Sequence, residues 1–195
     1  MSIVCENKIK VFKMDESHLE FCFDIEKNSN EQNWDKLDFL NHIKRRNCGG
    51  YVISLNEIIV GFLAYEKNKK KDFIFVWNLV VHPLHRKKGL ATTLLNKINS
   101  LVQNKKTTIQ ANIREKNIEA HSFFKKMGFS AWGISKEYFF DQVLDVIKIE
   151  DAYCFTNNLN GLEEFRIMDC FGEIIKDISC NNNNINVKYY RRNRK

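Results

Sequence analysis

The fold is decided by the segment VVHPLHRKKGLAT at residues 80–92. An apolar run ends here, Pro83 terminates it, and from Leu90 onward apolar residues recur with the period of a helix. The pattern predicts a buried strand, a basic turn and a helix. The first turn of a helix has unpaired N–H groups and a positive dipole end, so it can bind a phosphate. Gly89 has no Cβ to block the anion, and the three basic residues 86–88 add charge.

The residues before this segment predict a sheet with two helices. Alternating and β-branched residues predict four strands, with a hairpin turn at Asn56-Glu57. The predicted strands are 9–14, 51–55, 58–65 and Phe73–Val81. The predicted helices are 15–28 and 35–43. A break is expected at residues 48–50, and the nearly continuous apolar run of the fourth strand predicts burial on both of its faces.

The residues after this segment predict further alternation of strands and helices. An i, i+4, i+8 stripe from Leu90 predicts the helix with which the opening segment ends. It is followed by a strand over 107–113, a helix over 118–127, and strands over 129–137 and 143–149. The predicted class is α/β (α+β), with a mixed sheet flanked by helices.

The chain changes character near residue 151. We therefore predict one domain over residues 1–150 and a carboxyl-terminal extension over 151–195. Leu162, Phe165 and Met168 predict an amphipathic helix within this extension. The last fifteen or so residues are polar, basic and low in complexity, which predicts disorder.

Composition excludes several classes of protein. Hydrophobic residues make up 44% and charged residues 28% of the 195 residues, which is typical of a globular protein. The longest apolar run is too short to span a bilayer, and the amino terminus has no secretion pattern, so a soluble cytoplasmic protein is expected. The six cysteines form no C-x-x-C pair, and neither a metal site nor metal catalysis is predicted.

The net charge of +7 is unevenly distributed. Most of it lies in the last eight residues, which contain five Lys or Arg and no acid. The charge therefore does not predict a DNA-binding fold. It predicts a small anion-binding patch at residues 86–88 and a separable tail that could contact RNA or the ribosome.

A second segment, residues 117–129, makes the interpretation of residues 80–92 more specific. Asn117 is a predicted helix cap, Ala120 and Phe124 lie on one face of the helix, and Gly128 ends it. Together the two segments resemble motifs A and B of the GNAT superfamily of acetyl-CoA-dependent N-acetyltransferases. The residues that match are Val81, His82, Pro83, the run 86–91, Asn117, Ala120, Phe123, Phe124, Gly128 and Phe129. Trp34, Asn78 and Tyr138 resemble the branch that acetylates protein N-termini, including the ribosomal-protein alanine acetyltransferases.

The resemblance implies a GNAT fold with a mixed, mostly antiparallel central sheet, and an opening for acetyl-CoA between strands 73–81 and 107–113. Backbone groups of Leu79 and Val81 would pair with the pantetheine arm, N–H groups of residues 87–92 would hold the pyrophosphate, and Asn117 would bond near the thiol end. The residues that the resemblance assigns to acetyl-CoA are Leu79, Val80, Val81, Arg86, Lys87, Lys88, Gly89, Leu90, Ala91, Thr92, Asn117, Ala120 and Phe124. Those that it assigns to the acceptor are Trp34, Asn78 and Tyr138.

The catalytic positions depart from the family pattern. Asn112 stands where this branch has a Glu base, and Phe124 stands where the motif B general-acid Tyr is found. The candidate catalytic residues are therefore Asn112, Tyr138 and His121, acting directly or through water. Slow turnover, or an acetyl-CoA-binding protein on this scaffold, remains open.

The predicted function is acetyl transfer to a primary amine, namely the α-amine of a protein or peptide. A small-molecule amine acceptor is the first alternative. A catalytically weak acetyl-CoA-binding protein, or one associated with the ribosome or RNA, is the second.

Overall fold

The computed structural model describes residues 8–29, 34–102, 106–143, 146–158, 165–169, 173–181 and 184–189. The chain divides into two compact units, residues 1–107 and 108–195. No helix in these described ranges is long and apolar enough to cross a membrane.

The first unit is an antiparallel sheet with three helices. Its strands are β1 (Ile9–Lys13), β2 (Cys48–Leu55), β3 (Ile58–Asn68) and β4 (Phe73–Val81), paired in that order. Its helices are α1 (Leu19–Ser29), α2 (Lys36–Lys44) and α3 (Leu90–Asn99). Asp35 caps α2 by accepting from the Asp38 N–H. Phe39 and Phe62 are fully buried and lie edge to face, so α2 and β3 share one core.

The second unit is built on a larger sheet with one described helix. Its strands are β5 (Thr108–Arg114), β6 (Ser130–Val143), β7 (Val146–Thr156), β8 (Phe165–Met168), β9 (Ile174–Asn181) and β10 (Asn184–Tyr189). They are ordered β5-β7-β6-β8-β9-β10, and all neighbours are antiparallel except β6 and β8. The helix α4 (Ile118–Lys126) packs on this sheet through Phe124, which contacts Phe155 of β7.

The prediction of a mixed, mostly antiparallel α/β fold is confirmed, and β4 has the predicted bounds. Burial of β4 on both faces is wrong, because Trp77 is 41% exposed. The break at residues 48–50 is also wrong. Gly49 and Gly50 lie within β2, where a Cβ would come to 2.9 Å from the Tyr65 hydroxyl and to 2.8 Å from the Leu63 carbonyl, respectively. Close packing, not a turn, requires these glycines.

The carboxyl-terminal predictions need the largest correction. Strand β6 continues through Asp141, and β7 runs past position 150 to Thr156. Phe165 and Met168 lie in a strand instead of the predicted helix, while Leu162 lies outside the described residues. Residues 184–189 form β10, which pairs with β9, so disorder is wrong for this part of the tail. Residues 190–195 lie outside the described ranges.

Candidate active site

The end of β4 is shaped by a bulge. Ala64 of β3 pairs with Asn78 and Tyr65 pairs with Val76, which leaves Trp77 as an extra residue on β4. A bulge re-aims the side chains around it and is often found beside a functional site. Here it sets the direction of Asn78, one of the predicted acceptor residues.

The turn between β4 and α3 has the backbone of an anion-binding loop. Lys87 and Gly89 both have positive φ, 61° and 77°. Gly89 is the N-cap of α3 and provides no side-chain cap, and the first turn contains no acidic residue. The first intrahelical bond runs from the Thr93 N–H to the Gly89 carbonyl at 3.0 Å. The helical hydrogen-bond pattern of α3 therefore begins at Thr93.

The space beside Gly89 suits a phosphate-bearing ligand. A Cβ built on Gly89 would have no atom within 4 Å, so the backbone is exposed to open space. Lys87 and Lys88 are exposed and supply positive charge next to it. A pyrophosphate can approach the backbone here, since no side chain intervenes.

The Arg86 side chain is engaged with the protein backbone. Its Nε donates to the Val81 carbonyl at 3.2 Å, and its Nη2 donates to the Ser29 carbonyl at 3.0 Å. Arg86 thus ties the end of α1 to the end of β4. These contacts support a positioning role for Arg86 beside the predicted contact with the donor.

A buried carboxyl connects two predicted acceptor residues. Glu26 of α1 is only 4% exposed, and its Oε1 accepts from the Asn78 amide at 3.4 Å. Burial raises the pKa of Glu26 to about 8, and a hydrogen bond from the Trp34 backbone opposes this rise. Its Oε2 is buried and has no hydrogen-bond partner among the described residues.

Trp34 is also part of the first unit's core. Its ring lies 5.2 Å from Phe39 and 4.9 Å from His42, measured between centroids. His42 Nε2 bonds the Gly49 carbonyl at 3.1 Å, and burial lowers the His42 pKa. Trp34 is half-buried, so packing fixes one part of the ring while the rest stays accessible.

In the second unit, the structure brings Asn112 and Tyr138 together. Burial raises the pKa of the Tyr138 hydroxyl, and a hydrogen bond from the Asn112 side chain lowers it in part. The two residues lie on β5 and β6, which flank β7 on its two sides. With the net pKa raised, Tyr138 is a neutral phenol near pH 7 and can donate a proton.

Motif B folds as a capped helix. The Asn117 Oδ1 accepts from the Ala120 N–H at 3.0 Å, so a donor role toward a ligand falls to its Nδ2 group. The His121 Nε2 donates to the Arg114 carbonyl at 2.9 Å, and its ring packs on Tyr153 and Phe155. Through these contacts His121 holds α4 against the sheet, which is a structural role.

Phe124 occupies a closed aromatic cluster. It is 5% exposed, and its centroid lies 5.1 Å from Phe129 and 6.3 Å from Phe155. The phenyl ring, which has no hydroxyl group, therefore matches its apolar surroundings. It has no group that can give a proton.

The sequence did not indicate the burial of two ionisable residues, Glu26 and Arg114. Glu26 lies in an amphipathic helix, where a Glu is typical of the solvent face. Arg114 ends β5 and bonds Asp141 at 2.7 Å and Glu150 at 3.4 Å. Neither partner is close in sequence, so no local pattern indicates the network. For Glu26, the only available signal was its place one turn after Cys22 on the apolar face.

Strand β4, the turn after it and α3 form a strand–turn–helix whose open backbone at Gly89 is typical of anion-binding loops. Comparison with known proteins makes this specific, because the model of the Acetyltransferase (GNAT) family matches residues 16–129. The chain belongs to this family. It is an N-acetyltransferase that uses acetyl-CoA as the acetyl donor.

Solved structures share the fold. The ribosomal-protein-S18-alanine N-acetyltransferase of Escherichia coli is 18% identical with a TM-score of 0.66, over 76% of this chain and 92% of that one. Arabidopsis thaliana Naa50, in complex with the bisubstrate analogue CoA-Ac-MVNAL, is 17% identical with a TM-score of 0.64, over 77% and 98%. The spermidine N-acetyltransferase of Vibrio cholerae is 18% identical with a TM-score of 0.62, over 76% and 92%.

These identities are low, so the structural similarity establishes the fold alone. A search of curated protein sequences returns no match. The neighbours include enzymes named for protein and for polyamine acceptors. The acceptor of this chain must therefore be argued from its own residues.

Proposed function

We propose that the chain acetylates the N-terminal α-amine of a protein or peptide. The observation that carries the proposal is the convergence of Trp34 and Asn78 on the Glu26 carboxyl. This arrangement places an amide and an acid together in the first unit, and the Trp34 backbone hydrogen-bonds the same acid. Such a set suits an amine that is attached to a peptide backbone, since the amide can bond the peptide and the acid the amine.

On the donor side, we propose that the turn before α3 holds the pyrophosphate of acetyl-CoA. Gly89 leaves the backbone accessible, and the N–H groups of residues 90–92 point the positive end of α3 toward the anion. Leu79, Val80 and Val81 would offer β4 backbone to the pantetheine arm. The contacts assigned to Asn117, Ala120 and Phe124 remain predictions.

Acetyl-CoA supplies an acetyl group activated as a thioester. The chain must deliver the acceptor as a neutral amine and must provide a proton for the departing sulfur. Tyr138, held neutral and bonded to Asn112, has the properties of the proton donor. Asn112 cannot act as a base, because an amide does not accept a proton near neutral pH. It can orient Tyr138 or a water molecule.

The acceptor class can be tested with a panel of amines. Matched peptides with free and blocked N-termini, each containing one internal lysine, would be incubated with acetyl-CoA alongside spermidine. Mass spectrometry would locate the acetyl group. The proposal expects acetylation at the free N-terminus only. Acetylation of the lysine side chain or of spermidine alone would show that the acceptor is a different amine.

Contact of the basic tail with RNA or the ribosome also remains a proposal. Since residues 184–189 form β10, a clean test removes only residues 190–195. Loss of co-sedimentation with ribosomes, with peptide acetylation retained, would assign the tail a separate role. Co-sedimentation that persists without these six residues would exclude it. The cytoplasmic location likewise remains a prediction, which microscopy of the tagged chain can test.

A further inference from the structure

We propose that the Glu26 carboxyl binds the ammonium group of the acceptor and takes its proton. The inference rests on the proposed function, because it requires an amine acceptor beside Trp34 and Asn78. It supplies the base that is absent at Asn112.

The first argument is the incomplete hydrogen bonding of the carboxyl. Glu26 is 4% exposed, yet its buried Oε2 has no hydrogen-bond partner in the described part of the chain. Buried polar atoms are nearly always paired, and a buried unpaired one is costly. An ammonium group has three N–H donors and would satisfy this oxygen.

The second argument is the position of the carboxyl. Its other oxygen, Oε1, bonds the Asn78 amide, which the bulge at Trp77 aims from β4. The backbone of Trp34 also hydrogen-bonds the carboxyl. The hydrogen bond from Asn78 thus joins two residues that are 52 positions apart in the chain. The Asn78 amide fixes Oε1 and leaves Oε2 for a ligand.

The third argument is the match of acidities. An α-ammonium group has a pKa of about 7.7–8.0, whereas that of a lysine side chain is about 10.4. With the pKa of Glu26 raised to about 8, its ionised form, a minor fraction near pH 7, can take a proton from an α-ammonium at near balance. Taking one from lysine is less favourable than taking one from an α-ammonium by a factor of about 250–500, because the two ammonium groups differ that much in acidity. The acid therefore favours an N-terminus over a lysine side chain.

The proton balance is complete without a further reactant. The ammonium gives one proton to Oε2, which yields a neutral amine and a neutral carboxylic acid. The amine nitrogen then bonds the acetyl carbon as the carbon–sulfur bond breaks, and its second proton goes to the sulfur. Glu26 returns its proton to solvent before the next turnover.

Other titratable groups surround α1. Burial raises the pKa of Cys22, one turn earlier, to about 12, so this thiol stays neutral. Strand β4 itself contains no titratable residue. The titratable or charged residues on the other segments packed near α1 are Glu16, His18, Lys36, Asp38, His42, Lys44, Tyr65, Glu66, Lys67 and Arg86. His42 has its pKa lowered by burial, so it is neutral near pH 7.

The test compares Glu26→Gln with the wild type. Glutamine keeps the shape of the neutral acid and can neither bind as an anion nor take a proton. Steady-state acetylation of an N-terminal alanine peptide would be measured from pH 6 to 9.5, with calorimetry of CoA binding. We expect kcat/KM to fall by about 10²–10⁴-fold at pH 7. The ratio of the wild-type kcat/KM to that of the variant should become smaller above the pKa of the free amine, where the acceptor is already neutral. CoA affinity should be unchanged.

Asp24→Asn is the matched control, because Asp24 lies on the exposed face of the same helix. It should leave kcat/KM within about threefold of the wild type. If Glu26→Gln does not fold, Glu26→Asp retains the acid and should show a smaller loss with the wild-type pH dependence.

The outcomes separate the two proposals. A Glu26→Gln enzyme within threefold of the wild type at pH 7, or a loss that is the same at every pH, would overturn the role of Glu26. An active wild type would leave the proposed function intact in both cases. A wild type that acetylates no peptide N-terminus would instead overturn the proposed function.

Discussion

Replacing Arg114 by Met should destabilise the second unit strongly. The Arg114 side chain is 7% exposed and lies between Asp141 and Glu150, which are 14% and 2% exposed. Its guanidinium also stacks over the Phe139 ring at 4.3 Å. Glu150 accepts a further bond from the Lys116 N–H at 2.8 Å. The network therefore ties β5, the start of α4 and the β6–β7 hairpin together.

The expected magnitude follows from burial. Removing one partner of a buried ion pair costs about 3–5 kcal/mol, since it leaves an uncompensated charge. For a chain of this size, that loss corresponds to a fall in Tm of about 6–20 °C. Breaking the more exposed pair Lys136–Asp151 by Lys136→Met should cost less than about 1 kcal/mol.

Urea unfolding followed by circular dichroism measures both variants. The double variant Arg114→Met with Glu150→Gln removes both charges of one pair and should recover part of the loss. Tyr138 adjoins Phe139 on the same hairpin, so peptide acetylation by the single variant should also fall. A single variant that loses less than about 1 kcal/mol, or a double variant that is less stable than the single one, would refute the reasoning.

Three further predictions concern the first unit and its ligand. Gly89→Val should weaken CoA binding about tenfold or more in calorimetry, because left-handed backbone costs a side chain about 1–2 kcal/mol and the Cβ enters the ligand space. Gly128→Val, with a φ of 83° at the end of α4, is the control that carries the strain alone, and equal losses of affinity would contradict the assignment. Arg86→Met should lower unfolding stability by about 1–3 kcal/mol through the lost bonds to Val81 and Ser29, whereas Lys88→Met should stay within about 0.5 kcal/mol. Glu26→Gln should flatten the pH dependence of stability. Because burial raises the pKa of Glu26 from its ordinary value of 4.5 to about 8, the stabilisation by its neutral form is full below about pH 4.5 and is lost as pH rises through 8. Urea unfolding at pH 5.5, 7 and 9 that shows parallel curves for both proteins would argue against a buried, titrating Glu26.

The sequence allowed prediction wherever structure depends on neighbours in the chain. The strand, turn and helix at residues 80–92 are specified locally by Pro83, by Gly89 and by the helical stripe from Leu90. Asn117 was predicted as a cap for the same reason, because its bond to the Ala120 N–H spans three residues. Both segments were placed correctly, and the family match over residues 16–129 includes them.

Prediction failed where strands pair over a distance. The spacing of Phe165 and Met168 fits a helix, yet parallel pairing with β6 and antiparallel pairing with β9 makes this segment a strand. Tertiary pairing overrides weak local preference. The glycines of β2 were interpreted as a break for the same reason, since the crowding by Tyr65 and Leu63 comes from the neighbouring strand.

The contrast between local and long-range determinants also distinguishes the donor side from the acceptor side of the proposed site in the first unit. The donor side is a contiguous segment, so substitutions in it should change affinity for CoA while leaving the choice of acceptor intact. The acceptor side depends on a contact between distant residues, Glu26 with Asn78, which are 52 positions apart. Since this contact is not encoded locally, the acceptor specificity can change through substitutions that leave the motifs untouched. A motif match therefore identifies the reaction, and the buried acid on α1 is where we expect the acceptor to be selected.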